Sequence, residues 1–177
     1  MAIFSRQTPP PDPQDHVSKY RPFVREDFAE CCAYCLLHEL VAGGESNFQL
    51  DHFRPKSLAA FASLIDDFYN LYYACSICNR YKSNSWPSPM LEAQGYSFVD
   101  FCTEDFTTHF REELDGSWRP LTSQAEYTAA RIRLNRPHLL EIRRLLQALA
   151  LRRGAPSSAW EIRERARQLI GSDGEPS

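Results

Sequence analysis

The chain has 177 residues, 43% of them hydrophobic and 12% aromatic, enough for one domain with a core or a small domain plus an extension. A net charge of -3 excludes a protein that coats nucleic acid indiscriminately. No apolar run nears the roughly 20 residues a membrane span needs, and the opening MAIFSRQTPPPDPQD lacks the apolar core of a secretion signal, so the expected location is the cytoplasm.

In chain order, residues 1–15 are proline-rich and polar and read as a flexible arm. Phe23, Val24 and Phe28 recur at helical spacing after Pro22, which predicts a short helix from Pro22 to Cys31. CAYC (32–35) makes a knuckle, and Gly43-Gly44 breaks the chain. In NFQLDHF, Phe48, Leu50 and His52 alternate with Gln49 and Asp51, a period-two pattern that predicts a strand ended by Pro55. Residues 57–69 fit either a helix or an ordered loop. Asn70 is placed at a loop end, and a helix is expected over 76–84, stopped by Pro87. GYSFVDF reads as a strand, and THFREELDGSWRPLT as a hairpin turning at Asp115-Gly116.

The last third reads as helical. TAARIRLN forms one helix, Asn135 caps a second over 136–153 that ends before Gly154, and Ser158 with Glu161 forms a capping box for a third over 159–170. The apolar stripe Leu139, Ile142, Leu146, Leu149 is expected to pack as core. Charge is uneven along the chain. Residues 1–130 hold 10 Lys/Arg against 18 Asp/Glu, and residues 131–177 hold 10 Arg against 5 Asp/Glu. That asymmetry suits either a nucleic-acid- or partner-facing segment or an ordinary solvated helix face. The chain accordingly divides into an arm (1–15), a core with zinc knuckles (16–90), a strand and hairpin extension (91–122), Arg-rich helices (123–172) and a tail (173–177).

Six cysteines in a cytoplasmic chain suggest a metal before a disulfide framework. Cys32 and Cys35 form one CxxC pair and Cys75 and Cys78 another, with 39 residues between the pairs. Each pair bites one ion through a tight turn, and two pairs complete a tetrahedron, so the four thiolates make a closed, structural zinc site. Cys31 lacks the CxxC spacing to Cys35, and Cys102 reads as a small buried hydrophobe. With the zinc shell filled by sulfur, His52 is left as a structural histidine or a catalytic base, and its neighbourhood (Asp51, Asn70, Asn79, Lys82) favours the base.

The ordered set CAYC, LDHFRPKS, NLYYAC and CNRYK resembles the HNH endonucleases, most specifically over residues 32–86, as a His-Asn-Asn variant. YRPFVREDF…CCAYCLLHE, SFVDF…THF and RIRLNRP are similar, more loosely, to stand-alone bacterial HNH proteins of the phage-defence type. The resemblance implies an α+β fold: a ββα-metal core stapled by the four-cysteine zinc site, with a further β-hairpin and a C-terminal helical extension. It implies that His52 activates water, that Asp51 and Asn79 hold a catalytic magnesium or manganese ion, and that Asn70 fixes the loop near the histidine. Asp51 should leave an ideal strand on the face away from His52, so sharing an ion with Asn79 calls for local distortion at the strand end. Lys82, three residues after Asn79, is expected to reach a phosphate. Arg54, Lys56 and Arg80 are candidates for the nucleic-acid backbone, with a solvated face as the other reading of Arg54 and Lys56. Double-stranded DNA is the implied substrate, cut to 5′-phosphate and 3′-hydroxyl ends, with no membrane involved. An acidic remainder binds a polyanion weakly by itself, which points to a homodimer or, by resemblance, to an ATPase sensor partner. The competing reading is a non-catalytic zinc module that binds nucleic acid or protein; it accounts for the cysteines and leaves Asp51-His52, Asn70 and Asn79 as coincidence. A zinc deaminase needs an HxE element and an open zinc shell, and this chain offers only the adjacent His38-Glu39.

Overall fold

The computed structural model describes residues 2–152. The predicted helix at 159–170 and its capping box lie outside the described residues. Pro22 stands in the first turn of α1 (Arg21–Asp27), where a missing N–H costs nothing, and Val24 and the following Phe28 are wholly buried. The CAYC knuckle leads into β1 (Phe48–His52), which pairs antiparallel with β2 (Leu71–Cys75) in the register Phe48–Cys75, Leu50–Tyr73 and His52–Leu71. α2 (Ser76–Lys82) follows β2 without a break. Between β1 and β2 the chain makes 3-10 turns at Ala59–Leu64 and Phe68–Asn70, so the undecided segment is an ordered loop.

Beyond α2 come the short α3 (Pro89–Glu92) and α4 (Phe106–His109), then the hairpin of β3 (Phe110–Glu112) and β4 (Trp118–Pro120). Its turn uses Gly116 at φ +79, and a Cβ there would run into the Leu140 carbonyl, so glycine meets both a conformational and a steric demand. α5 (Ser123–Ile132) is capped by the Thr122 side chain, and α6 (Pro137–Arg152) follows. No helix among the described residues is long and apolar enough to cross a membrane.

Aromatic rings form a seam through the core. Phe4 meets Phe28, Phe28 meets Tyr72, Tyr72 stacks on Phe53 at 4.6 Å, Phe53 meets Phe98, and Phe98 meets Tyr127 of α5. The seam joins the N-terminal segment, the β1–β2 hairpin and α5 in one apolar interior.

Four sequence expectations change. Residues 3–7 are packed and not a free arm: Phe4 is buried, and Ile3 and Phe4 donate backbone N–H groups to the Phe101 carbonyl. Arg6 pairs with Asp27 at 2.9 Å and donates to the Leu71 and Phe68 carbonyls. GYSFVDF is extended and buried at Phe98, Val99 and Phe101, yet it joins no sheet; Val99 N–H is satisfied by the Thr128 hydroxyl instead. Asn135 does not cap α6. Its side-chain amide clamps both backbone groups of Trp118, accepting from N at 2.9 Å and donating to O at 3.0 Å. The α6 stripe also buries unevenly: Leu139 is wholly enclosed, Ile142 and Leu146 are half-buried, and Leu149 is exposed.

Candidate zinc centre and ββα site

The zinc ligands come from two elements. Cys32 and Cys35 sit in the knuckle, whose hydrogen bond from Leu36 N to Cys32 O turns the chain back on itself, and Ala33 N fastens it to the Tyr73 carbonyl of β2. Cys75 ends β2, and Cys78 lies in the first turn of α2. All four are buried, and their sulfur atoms lie within 4.8 Å of one another. Four cysteines are thus positioned to bind a zinc ion, and Cys31 turns aside to donate to the Ala29 carbonyl. Hydrogen bonds from Cys32, Cys35 and Cys78 pull Cys75 far below its usual range, whereas burial pushes Cys32 up. A divalent ion removes the remaining protons, so the donor set fits zinc.

The ββα unit next to this cluster gathers the other candidates. Alternation along β1 puts Gln49 and Asp51 on one face, and α2 packs against that face. Asn79 Nδ2 donates to Gln49 Oε1 at 2.6 Å, and one helical turn later Lys82 Nζ lies 3.0 Å from Asp51 Oδ2. Asp51 and Asn79 therefore lie on the side of the hairpin that α2 covers. Asn79, Gln49, Ser76, Ile77, Arg80 and Ser83 border an open concavity of about 480 Å³.

Lys82 differs from expectation. It is 0% exposed, and its ammonium serves Asp51 and the His52 carbonyl (2.8 Å), so it faces inward and not toward a phosphate. Burial lowers its pKa against the pull of Asp51. Asp51 is held above the usual carboxylate range by burial, although Lys82 and the Tyr34 hydroxyl both favour its ionised form. Tyr34, inside the CAYC knuckle, donates to the same Oδ2 that faces Lys82. Both contacts fall on Oδ2, which leaves Oδ1.

His52 ends β1. Its Nε2 lies 2.9 Å from the Ile65 carbonyl, and a carbonyl only accepts, so Nε2 carries a proton, and in the neutral tautomer Nδ1 is the acceptor nitrogen. Asn70 holds the loop that supplies this carbonyl. Its Oδ1 accepts from Arg54 N at 2.8 Å, and its Nδ2 donates to the Arg54 and Leu64 carbonyls at 3.1 and 3.0 Å. Arg54, Lys56 and Arg80 are exposed, and among the described residues none has a carboxylate within ion-pair distance. Arg80 shares the Tyr81 ring with Arg133, at 5.9 and 4.8 Å from its centre.

Residues that sequence reasoning missed are Gln49, Tyr34 and Arg136. Gln49 was findable, because it stands two residues before Asp51 on the same strand face. Tyr34 carried no signal beyond its place in CAYC. Arg136 carried none: it lies 58 residues from Cys78, yet its Nη2 donates to that sulfur at 3.2 Å. Burial would pull Arg136 down, but the Cys78 sulfur and its neighbours hold it above its ordinary value.

Residues 32–85 match the family model described as HNH endonuclease. No curated protein and no solved structure matches the chain. The matched stretch contains both CxxC pairs, β1, β2 and α2, so the ββα unit with its four-cysteine cluster is the part of the chain that is similar to an HNH domain, and such a domain implies a nuclease-type activity.

Proposed function

We propose that the protein is a metal-dependent endonuclease that hydrolyses phosphodiester bonds in DNA, with duplex DNA as its substrate. The observation that carries this reading is the hydrogen bond from His52 Nε2 to the Ile65 carbonyl, which in the neutral imidazole leaves Nδ1 as the proton acceptor. Nδ1 takes the proton of an attacking water. Asn70 keeps the acceptor in place by pinning both ends of the loop that carries Ile65. Lys82 acts as a positioning residue, fixing the His52 backbone and Asp51 together.

Asp51 through Oδ1 and Asn79 through its amide oxygen would hold the catalytic divalent ion. Hard oxygen donors with most of the shell left to water and phosphate suit magnesium or manganese. Such an ion would supply neutralisation of charge on the scissile phosphate and on the leaving 3′ oxygen. Arg80, with Arg133 on the same tyrosine, and Arg54 with Lys56 hold flanking phosphates. The wider resemblance of YRPFVREDF and RIRLNRP to stand-alone HNH proteins supports a phage-defence effector in the cytoplasm, working as a homodimer or with an ATPase sensor. A non-catalytic zinc module leaves the Nε2 hydrogen bond and the three-point Asn70 clamp without a purpose.

The test is nicking of supercoiled plasmid and of labelled duplex, single-stranded DNA and RNA, with magnesium, manganese or EDTA. His52→Ala should abolish metal-dependent cleavage while keeping one zinc per chain and the wild-type circular dichroism spectrum. Wild-type cleavage by purified His52→Ala would refute the mechanism. Cleavage of RNA alone would refute the substrate.

A further inference from the structure

Two arginines from the C-terminal extension are buried without a carboxylate partner. Arg136, in the connection between α5 and α6, is 8% exposed, and Arg143, two turns along α6, is 2% exposed. Arg136 donates through Nη1 to the Ile132 and Arg133 carbonyls, both at 3.2 Å, and through Nη2 to Cys78 Sγ. Arg143 lies flat on Trp118, with Cζ 3.6 Å from the ring centre, and its Nη1 donates to the Leu134 carbonyl at 2.9 Å. Its Nε and Nη2 have no hydrogen-bond partner. Among the described residues, no carboxylate lies within ion-pair distance of either guanidinium. Burial lowers the Arg143 pKa to about 10, against an opposing pull from the Cys35 and Cys78 sulfurs and from Glu112.

An uncompensated buried charge is strongly destabilising, so two of them side by side demand a counter-charge. Four thiolates around one divalent zinc leave two negative charges uncompensated. The two buried cations equal that residue in number, and one of them touches a ligand sulfur. Outer-shell donors of this kind orient metal ligands and tune their affinity.

We propose that Arg136 and Arg143 are the outer counter-ions of the zinc–tetrathiolate centre, so that zinc binding and docking of the α5–α6 pair onto the ββα unit are one coupled event. The inference rests on zinc occupying the four-cysteine site and not on the catalytic reading. Zinc-free chains then hold two unbalanced cations under α6, and the helix pair loosens with the metal. Zinc acts on the extension as well as on the knuckle.

The experiment uses the full chain and needs no nucleic acid. Cobalt(II) replaces zinc as the probe, and its thiolate-to-metal absorption and dissociation constant are measured for wild type, Arg136→Gln, Arg136→Lys and Arg143→Gln. Arg136→Gln should weaken metal binding about 10–100-fold, the range for outer-shell changes. It should also move the thiolate band to longer wavelength, because the sulfur loses a hydrogen bond. Arg143→Gln should weaken binding without moving the band, and Arg136→Lys should recover part of the affinity. In parallel, hydrogen exchange is followed in wild type with and without zinc, which does not depend on any variant folding. Residues 123–146 should lose protection with the hairpin when zinc is stripped. Unchanged metal affinity and band in Arg136→Gln, or unchanged protection of residues 123–146 in stripped wild type, would overturn the proposal. Either result leaves the nuclease reading standing, and loss of that reading in the cleavage assay leaves this one standing.

Discussion

Replacing Lys82 with methionine asks the most of the ββα unit. The stem of Lys82 is wholly enclosed, and its ammonium pairs with Asp51, donates to the His52 carbonyl and lies 5.8 Å from the Phe98 ring centre. Methionine fills much the same volume, so packing is nearly conserved and the lost charge dominates. Asp51 would keep only the Tyr34 hydroxyl as partner, with its side chain 9% exposed. Breaking a buried pair in this way costs about 3–5 kcal/mol. For a chain of this size each kcal/mol moves the melting temperature about 2–4 °C, which gives a drop of roughly 6–20 °C. The deficit also has a pH signature. Burial already raises the Asp51 pKa in the folded protein, and Lys82 is the largest influence opposing that rise. Without Lys82 the folded carboxyl rises further, so the native state binds a proton that the unfolded chain has released. Stability contributed by that proton is present below the unfolded carboxylate range and lost as pH rises through the folded value. The deficit of Lys82→Met relative to wild type is therefore largest near pH 8 and shrinks toward pH 5. Thermal melts of zinc-loaded proteins at pH 5, 6.5 and 8 measure it, with the metal's own pH dependence subtracting between the two. Adding Asp51→Asn to Lys82→Met should recover most of the loss. A deficit under about 1 kcal/mol that does not vary with pH, or a double variant worse than Lys82→Met, would refute the assignment of Lys82 as a buried counter-ion.

Asn70→Ala removes three hydrogen bonds to the Arg54 and Leu64 backbones, each worth about 1 kcal/mol. Cleavage should fall at least tenfold, chiefly in kcat, while a chemical-denaturation midpoint reports a loss of about 2–3 kcal/mol. Cys75→Ser opens the sulfur cluster, and a structural zinc supplies roughly 10–16 kcal/mol in small zinc modules, as much as a typical domain's whole stability. Purified Cys75→Ser should hold less than one zinc per chain by atomic absorption and lose its near-ultraviolet circular dichroism.

What the sequence made legible was local. A CxxC spacing encodes a ligand bite, so the four cysteines were readable before any fold. Alternation over Phe48–His52 gave the strand, and Asn70 before β2 gave a loop clamp whose hydrogen bonds match that description. What stayed hidden was set by contacts between distant segments. The face of Asp51 was readable, but not that α2 covers it. Lysine is so rarely enclosed that the burial of Lys82 had no sequence signal. GYSFVDF has the composition of a strand and lacks only a partner, which no local pattern supplies. Phe4 and Arg6 lie in a proline-rich segment whose composition suggests freedom, yet Asp27 and the carbonyls of β2 and its approach hold them.

The positions of Tyr34 and Lys82 bear on why the proposed nuclease site should sit beside a four-cysteine cluster that would close around zinc. A four-thiolate zinc has no open position for water and cannot itself take part in hydrolysis. Its contribution must pass through geometry, and two routes exist. One runs along the backbone: Cys75 and Cys78 bracket the junction of β2 and α2, so an ion held there would fix the angle between hairpin and helix and with it the approach of Asn79 to Gln49. The other runs through side chains. Tyr34 stands between two ligand cysteines and donates to Asp51, Asp51 holds Lys82, and Lys82 holds the carbonyl of His52. Tyr34, Asp51 and Lys82 are buried, so none of the three can shift without leaving a polar group unsatisfied, at about 1–3 kcal/mol apiece. The backbone route alone would tolerate phenylalanine at position 34, whereas the side-chain route would not. The presence of a hydroxyl in the knuckle, aimed at the one carboxylate beside the histidine, favours a zinc centre that sets the register of the site as well as the fold around it.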